Sequence, residues 1–194
     1  MATPLTGRVA VITGGPADVA ATFRSLGAVC ATCDRRKGAS GSEGNDRGKN
    51  GRELAMTLDL RDPMAVDVFA TAVHERYGRV DILVTNAAAT TGAPFERVSA
   101  RAEHALIEEN FTQVTGLIRR MLPLMGRGSA IVNLVQDAPR HALDAALKAA
   151  VESLSSALAV ELAPRGISVH ATTVENATKA ETAYQLWCSG MPSV

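Results

Sequence analysis

The chain has 194 residues, 46% of them apolar, enough for one well-packed core and too few to demand a second domain. Twenty Lys and Arg balance twenty Asp and Glu, so no net field draws it to nucleic acid or to an anionic membrane surface. The opening MATPLTG lacks the basic-then-apolar pattern of a secretory signal, and no apolar run approaches the ~20 residues that span a bilayer, so a cytoplasmic location is expected.

Arg8 to Thr13 (RVAVIT) is a short β-branched run between Gly7 and Gly14, the pattern of a buried parallel strand. A helix over about 18–26 stops at Gly27, and a second strand from Ala28 to Asp34 completes a βαβ unit. Cys30 and Cys33 form a C-x-x-C inside that strand, where residues three apart point to opposite faces. They cannot share a metal or a disulfide there and are expected to be structural. Residues 35–53 are Gly-rich and charged, with Ala39 the only apolar side chain. A flexible loop is expected, because nothing in it offsets the entropy of ordering.

Alternation resumes with a strand at Leu54–Leu58 and a helix opened by Asp62 as N-cap and Pro63 at its first position, closing at Gly78. Val80–Thr85 is a fourth strand. A long helix follows over about 99–125, with Leu106, Phe111, Val114, Leu117, Met121 and Leu122 as its core stripe. Residues 129–134 read as a fifth strand, 141–162 as a second long helix and 167–174 as a sixth strand. Strand and helix alternate, which predicts an α/β fold: a Rossmann-like doubly wound parallel sheet of about six strands in a single domain, 1–194.

Several stretches together resemble the short-chain dehydrogenase/reductase family: GRVAVITGG, Asp34 ending strand two, Asp59-Leu60, GRVDILVTNAA, Asn110 thirteen residues before Pro123, SAIVNL, and LKAAVESLSSALAVELAPRGISV. The likeness covers residues 6 to about 173, in the family's order and close to its spacing. It implies a site at which Gly14 and Gly15 turn the chain beside a dinucleotide pyrophosphate, Asp34 holds an adenosine ribose hydroxyl, and Asp59 and Asn86 contact the cofactor. The acidic Asp34 favours NAD over NADP. The same three polar residues equally fit a reading as relics or turn residues.

The departures fall on functional positions. Where the family has T-G-x-x-x-G-x-G, this chain reads Thr13-Gly14-Gly15-Pro16-Ala17-Asp18-Val19-Ala20. Asp18 is expected to set a carboxylate where the pyrophosphate lies. Two like charges about 4 Å apart at an effective dielectric near 20 repel by ~4 kcal/mol, or about three decades of affinity. NAD(P) binding is thereby weakened and no cofactor is expected. Asp18 also reads as a simple helix cap.

The resemblance further implies catalysis by Ser, Tyr and Lys with a supporting Asn. Asn110 and Lys148 match, but Asp144 stands where Y-x-x-x-K requires tyrosine, and Gln136 where the family has serine. Losing a positioned general acid costs roughly 10²- to 10⁴-fold. If Asp144 and Lys148 sit one helical turn apart, the cation favours an ionised carboxylate, which accepts a proton but donates none; an ordinary exposed i,i+4 ion pair is the other reading. His141, opening the same helix, and His170 in strand six could face the cleft and do acid–base work. His74 and His104 lie among charged helical residues and are expected to be solvated, and the four spacings suggest no metal site. After strand six, Val174-Glu175 replaces the family's P-G turn, so a C-terminally truncated domain with a short atypical tail over 175–194 is expected, leaving an open cleft.

The reading that tolerates every loss is a non-redox enzyme of isomerase, cyclase or lyase type acting on a small metabolite, with Asp144 or His141 as base and Lys148 or Asn110 as electrophilic aid. The alternatives are a non-catalytic subunit, forming a homodimer or pairing with an active homologue through helices 99–125 and 141–162, and an atypical NAD(P)-dependent oxidoreductase.

Overall fold

The computed structural model describes residues 4–14, 17–35, 52–177 and 185. Most of the expected 35–53 loop and of the tail, with Tyr184, Trp187 and Cys188, lies outside them, as does Gly15.

Six parallel strands form one sheet in the order β3-β2-β1-β4-β5-β6. They are β1 (Val9–Thr13), β2 (Val29–Asp34), β3 (Leu54–Thr57), β4 (Ile82–Ala87), β5 (Ala130–Val135) and β6 (Ser168–Thr173). β1 and β5 are buried along their whole length, which is why their sequences are apolar without alternation except at Thr13 and Asn133. The two faces take alternate residues. Val11, Leu83 and Ile131 pack under α2 (Pro63–Tyr77), α4 (Gln113–Met121) and α5 (Ala142–Leu162), through Phe69, Val73, Leu117, Met121 and Val151. Ala10, Ile12, Ile82 and Val84 meet Val19 and Phe23 of α1 (Ala17–Ser25) on the other face. Cys30 falls in the second cluster and Cys33 in the first, so the two thiols do point to opposite faces. Both are buried and free, and burial pushes each thiol up to about 12, which makes them unreactive packing groups.

Local signals set several boundaries. Asp62 accepts from the Met64 N–H at 2.9 Å, Pro63 follows, and Gly78 ends α2 at φ 67, donating back to the His74 carbonyl. Ser99 caps α3 (Ala100–Ile107) by accepting from the Ala102 N–H. The expected uninterrupted helix over 99–125 is corrected here: α3 passes through a π turn, Glu108–Thr112, before α4, and a 3₁₀ turn, Leu122–Leu124, ends it. The π turn carries Asn110, whose side chain is tied to another part of the chain and holds the extra residue in place.

A buried polar chain fixes α5 to the sheet. Thr85 Oγ1 donates to Asn133 Oδ1 at 2.7 Å, Asn133 Nδ2 donates to Ser155 Oγ at 2.9 Å, and Ser155 Oγ donates to the Val151 carbonyl at 2.7 Å. Every member is satisfied in a setting where an unpaired group would be costly.

Candidate active site

The strand order reverses between β1 and β4, and ligands of open α/β sheets bind at such a switch point, beyond the carboxyl ends of the strands. A cavity of about 420 Å³ lies there, with Thr13, Gly14, Asp34, Asn86 and Ala89 in its wall. Gly14 has φ +59, a conformation that glycine adopts without strain, and its N–H donates to the Cys33 carbonyl at 3.0 Å. Its carbonyl accepts from Asn86 Nδ2. Asn86 Oδ1 is buried with no partner, so an acceptor in this wall lacks a donor.

Gly14, Asp34 and Asn86 are thus brought together as the sequence suggested. Asp59 is not. Its carboxylate accepts from the Arg61 side chain, Nε at 2.9 and 3.1 Å and Nη2 at 2.5 Å, and from the Arg61 N–H at 3.1 Å, while Leu58 and Leu60 on either side line the cavity. Hydrogen bonds from the Arg61 guanidinium hold the Asp59 carboxyl below the usual carboxylate range. Asp18 also departs from expectation. It is exposed in the first turn of α1, where a carboxylate suits the helix dipole, and Ala17, not Asp18, reaches the cavity wall.

The catalytic candidates converge on the segment after β4. Ala89 is the hub: its N–H donates to Asn110 Oδ1 at 3.0 Å, and its carbonyl accepts from Asn110 Nδ2 at 3.2 Å and Gln136 Nε2 at 2.6 Å. Asn110, only 1% exposed, also donates to the Leu106 carbonyl at 3.1 Å. Next along the chain, the exposed Thr90 donates from Oγ1 to Asp144 Oδ2 at 2.5 Å and accepts from the Gly92 N–H at 3.0 Å.

Asp144 is 3% exposed, and its Oδ1 has no partner. Lys148 donates instead to the Asp137 carbonyl at 2.8 Å and lies 3.8 Å from Glu152. Both readings of an Asp144–Lys148 pair are therefore corrected: no ion pair joins them among the described residues, because Asp144 turns inward to Thr90 while the lysine folds back over the end of β5. His141 occupies the N-cap position of α5 without a side-chain capping bond. His170 is half-buried on β6, and burial lowers its pKa, which favours the neutral ring at pH 7. His74 and His104 are exposed, the latter 3.3 Å from Glu108. Among the described residues no group of three His, Cys, Asp or Glu could hold a metal. Thr90 and Glu109 belong to the site and carry no sequence signal, since each is placed by a contact across the fold, to Asp144 and to Arg35.

Comparison with known proteins identifies the family. A family model described as enoyl-(acyl carrier protein) reductase matches residues 15–181. D-threitol dehydrogenase of Mycolicibacterium smegmatis is 30% identical, over 94% of this chain and 75% of its own length. Oxidoreductase UcpA of Escherichia coli K12 is 32% identical over 86% and 68%. Among solved structures, a glucose/ribitol dehydrogenase-type protein from Brucella melitensis superposes with a TM-score of 0.78 at 27% identity, covering 89% of this chain and 77% of that one. A short-chain oxidoreductase from Pseudomonas aeruginosa PAO1, described as containing an atypical catalytic centre, gives 0.77 at 27%, covering 87% and 70%. The chain belongs to the short-chain dehydrogenase/reductase family.

The expected departure from redox chemistry is overturned by these relatives, which are named as dehydrogenases and oxidoreductases. The expectation of no cofactor is likewise unsupported, since it rested on Asp18 filling a cavity that Asp18 does not line. No helix among the described residues is long and apolar enough to cross a membrane.

Proposed function

We propose that this chain is a nicotinamide-dinucleotide-dependent dehydrogenase that oxidises a secondary alcohol of a small polyhydroxylated metabolite. The observation that carries the reading is Asp144: a carboxylate 3% exposed, with one oxygen unpartnered and the other bonded to an exposed hydroxyl, beside the dinucleotide-type cavity. A carboxyl oxygen with no partner has room to accept a hydrogen bond or a proton, which suits removal of a proton from an alcohol.

The cavity fits the adenosine half of a dinucleotide. Gly14 offers a turn where backbone can approach phosphate, Asp34 lines the wall at the end of β2 where a ribose would lie, and Asn86 Oδ1 lacks a donor. A dinucleotide held there would supply the acceptor for the hydride of the carbinol carbon. The protein's share is proton handling and orientation. Thr90 gives the buried Asp144 access to the open side, so that the alcohol proton passes to the carboxylate as Thr90 hands on its own. Asn110 and Gln136 hold the Ala89 carbonyl between them and fix the strip on which Thr90 sits. Lys148, held by the Asp137 carbonyl, places a cation at the end of β5, where it would orient ribose or substrate hydroxyls.

Relatives named for D-threitol, sorbitol and galactitol favour a polyol as substrate. This reading includes a homodimer through the helical segment Ala100–Met121 and α5, on which Ile107 and Val160 are exposed apolar side chains.

The test is a steady-state assay with NAD+ or NADP+ and D-threitol, sorbitol and galactitol in turn. Dinucleotide-dependent oxidation of at least one is expected. No oxidation of any of the three, with no binding of NADH or NADPH, overturns the proposal.

A further inference from the structure

The mouth of the cavity carries a charge arrangement that the reaction does not use. Arg35, directly after Asp34, reaches across to Glu109 of the π turn, Nη2 to Oε1 at 2.9 Å, and both residues line the cavity. Their side chains are 41% and 30% exposed, so the pair sits at the rim, where salt weakens it without abolishing it. Arg35 is the only cation among the described lining residues.

Position gives the pair its meaning. A cation one residue beyond the end of β2 stands beside the ribose of a nucleotide held by Asp34, and a guanidinium there would bind a 2′-phosphate in a charge-assisted, two-pronged contact. Here two carboxylates compete with that phosphate. Asp34 repels it, and Glu109 already occupies the guanidinium. Glu109 is set in place by its neighbour: Asn110 is bonded on both sides to Ala89, which fixes the π turn and with it the direction of the preceding side chain.

We propose that Glu109 is a specificity residue, which by engaging Arg35 across the cavity mouth withholds that cation from a 2′-phosphate and keeps the site for a dinucleotide with a free 2′-hydroxyl. The inference rests on the dehydrogenase reading and is separable from it by binding alone.

The experiment is calorimetric titration of the intact chain with NADH and NADPH, for the wild type, Glu109→Ala, Glu109→Gln and the double variant Glu109→Ala/Arg35→Ala. The wild type should bind NADH more tightly than NADPH. Either single variant should raise the NADPH-to-NADH affinity ratio roughly tenfold or more, the worth of one charge-assisted contact. The double variant should lose that gain, which separates a role for the freed arginine from a general loss of negative charge. An unchanged ratio in both single variants while NADH still binds, or a wild type that prefers NADPH, overturns the role of Glu109. A folded wild type that binds neither dinucleotide overturns the underlying dehydrogenase reading, a distinct result.

Discussion

Asp144→Asn is expected to lower kcat by roughly 10²- to 10⁴-fold on any alcohol the wild type oxidises, with little change in the dissociation constant for NADH. The substitution keeps the side chain's size and an oxygen for the Thr90 hydroxyl, which now donates to Oδ2 at 2.5 Å, but removes the group able to take up a proton. Loss of both kcat and kcat/KM in similar proportion is the signature of an interaction made in the transition state. Thr90→Val should act in the same direction and Thr90→Ser should restore most of the loss, because only the hydroxyl is needed. Single-turnover and steady-state kinetics with purified variants check this. A loss of less than about threefold for Asp144→Asn would remove the carboxylate from the mechanism.

Asn133→Ala should be among the most destabilising single changes at the site's supporting layer. Asn133 is fully buried and joins Thr85 on β4 to Ser155 on α5, at 2.7 and 2.9 Å. Its removal leaves the buried Thr85 hydroxyl without its acceptor and takes a donor from Ser155, which keeps its bond to the Val151 carbonyl; with the cavity added, the total is roughly 3 kcal/mol. For a chain of this size each kcal/mol lowers Tm by about 2–4 °C, so a fall of roughly 6–12 °C is expected by thermal melting. Ser155→Ala should cost less, because Asn133 retains the Thr85 bond and α5 retains its backbone ladder. A fall of less than about 2 °C for Asn133→Ala would mean that this polar chain does not hold α5 to the sheet. The consequence reaches function, since α5 carries both Asp144 and Lys148.

Much of the fold was legible because its signals are local. Asp62, Pro63 and Gly78 mark α2 by their own backbone requirements, and the period of two along β2 was enough to separate Cys30 from Cys33. The π turn was not legible. Leu106, Val114, Leu117 and Met121 keep a helical stripe on both sides of it, and the bond that holds it, Asn110 to Ala89, joins residues 21 apart. Sequence patterns report spacing along an element and carry no record of such a partner.

The site divides in the same way. Gly14, Asp34 and Asn86 share one cavity wall because their motif positions fall at the carboxyl ends of neighbouring strands. Asp18 and Asp59 were misplaced because a motif gives position along the chain and not where a carboxylate points; one faces solvent and the other is held by Arg61. Asp144 and Lys148 were read as a pair from their i,i+4 spacing, whereas burial of one end decided otherwise. The inference from lost Tyr and Ser to lost redox function failed for a related reason. A missing residue reveals nothing of what its neighbours supply, and Thr90, 54 residues from Asp144, has no motif to announce it.

The account stands most directly on dinucleotide binding at the switch-point cavity. Calorimetric titration of the wild-type chain with NADH should give micromolar binding at one site per chain, weakened roughly tenfold or more by Asp34→Ala through loss of charge-assisted contacts to the ribose. No heat of binding at millimolar NADH and NADPH, from a protein shown to be folded, would contradict the account.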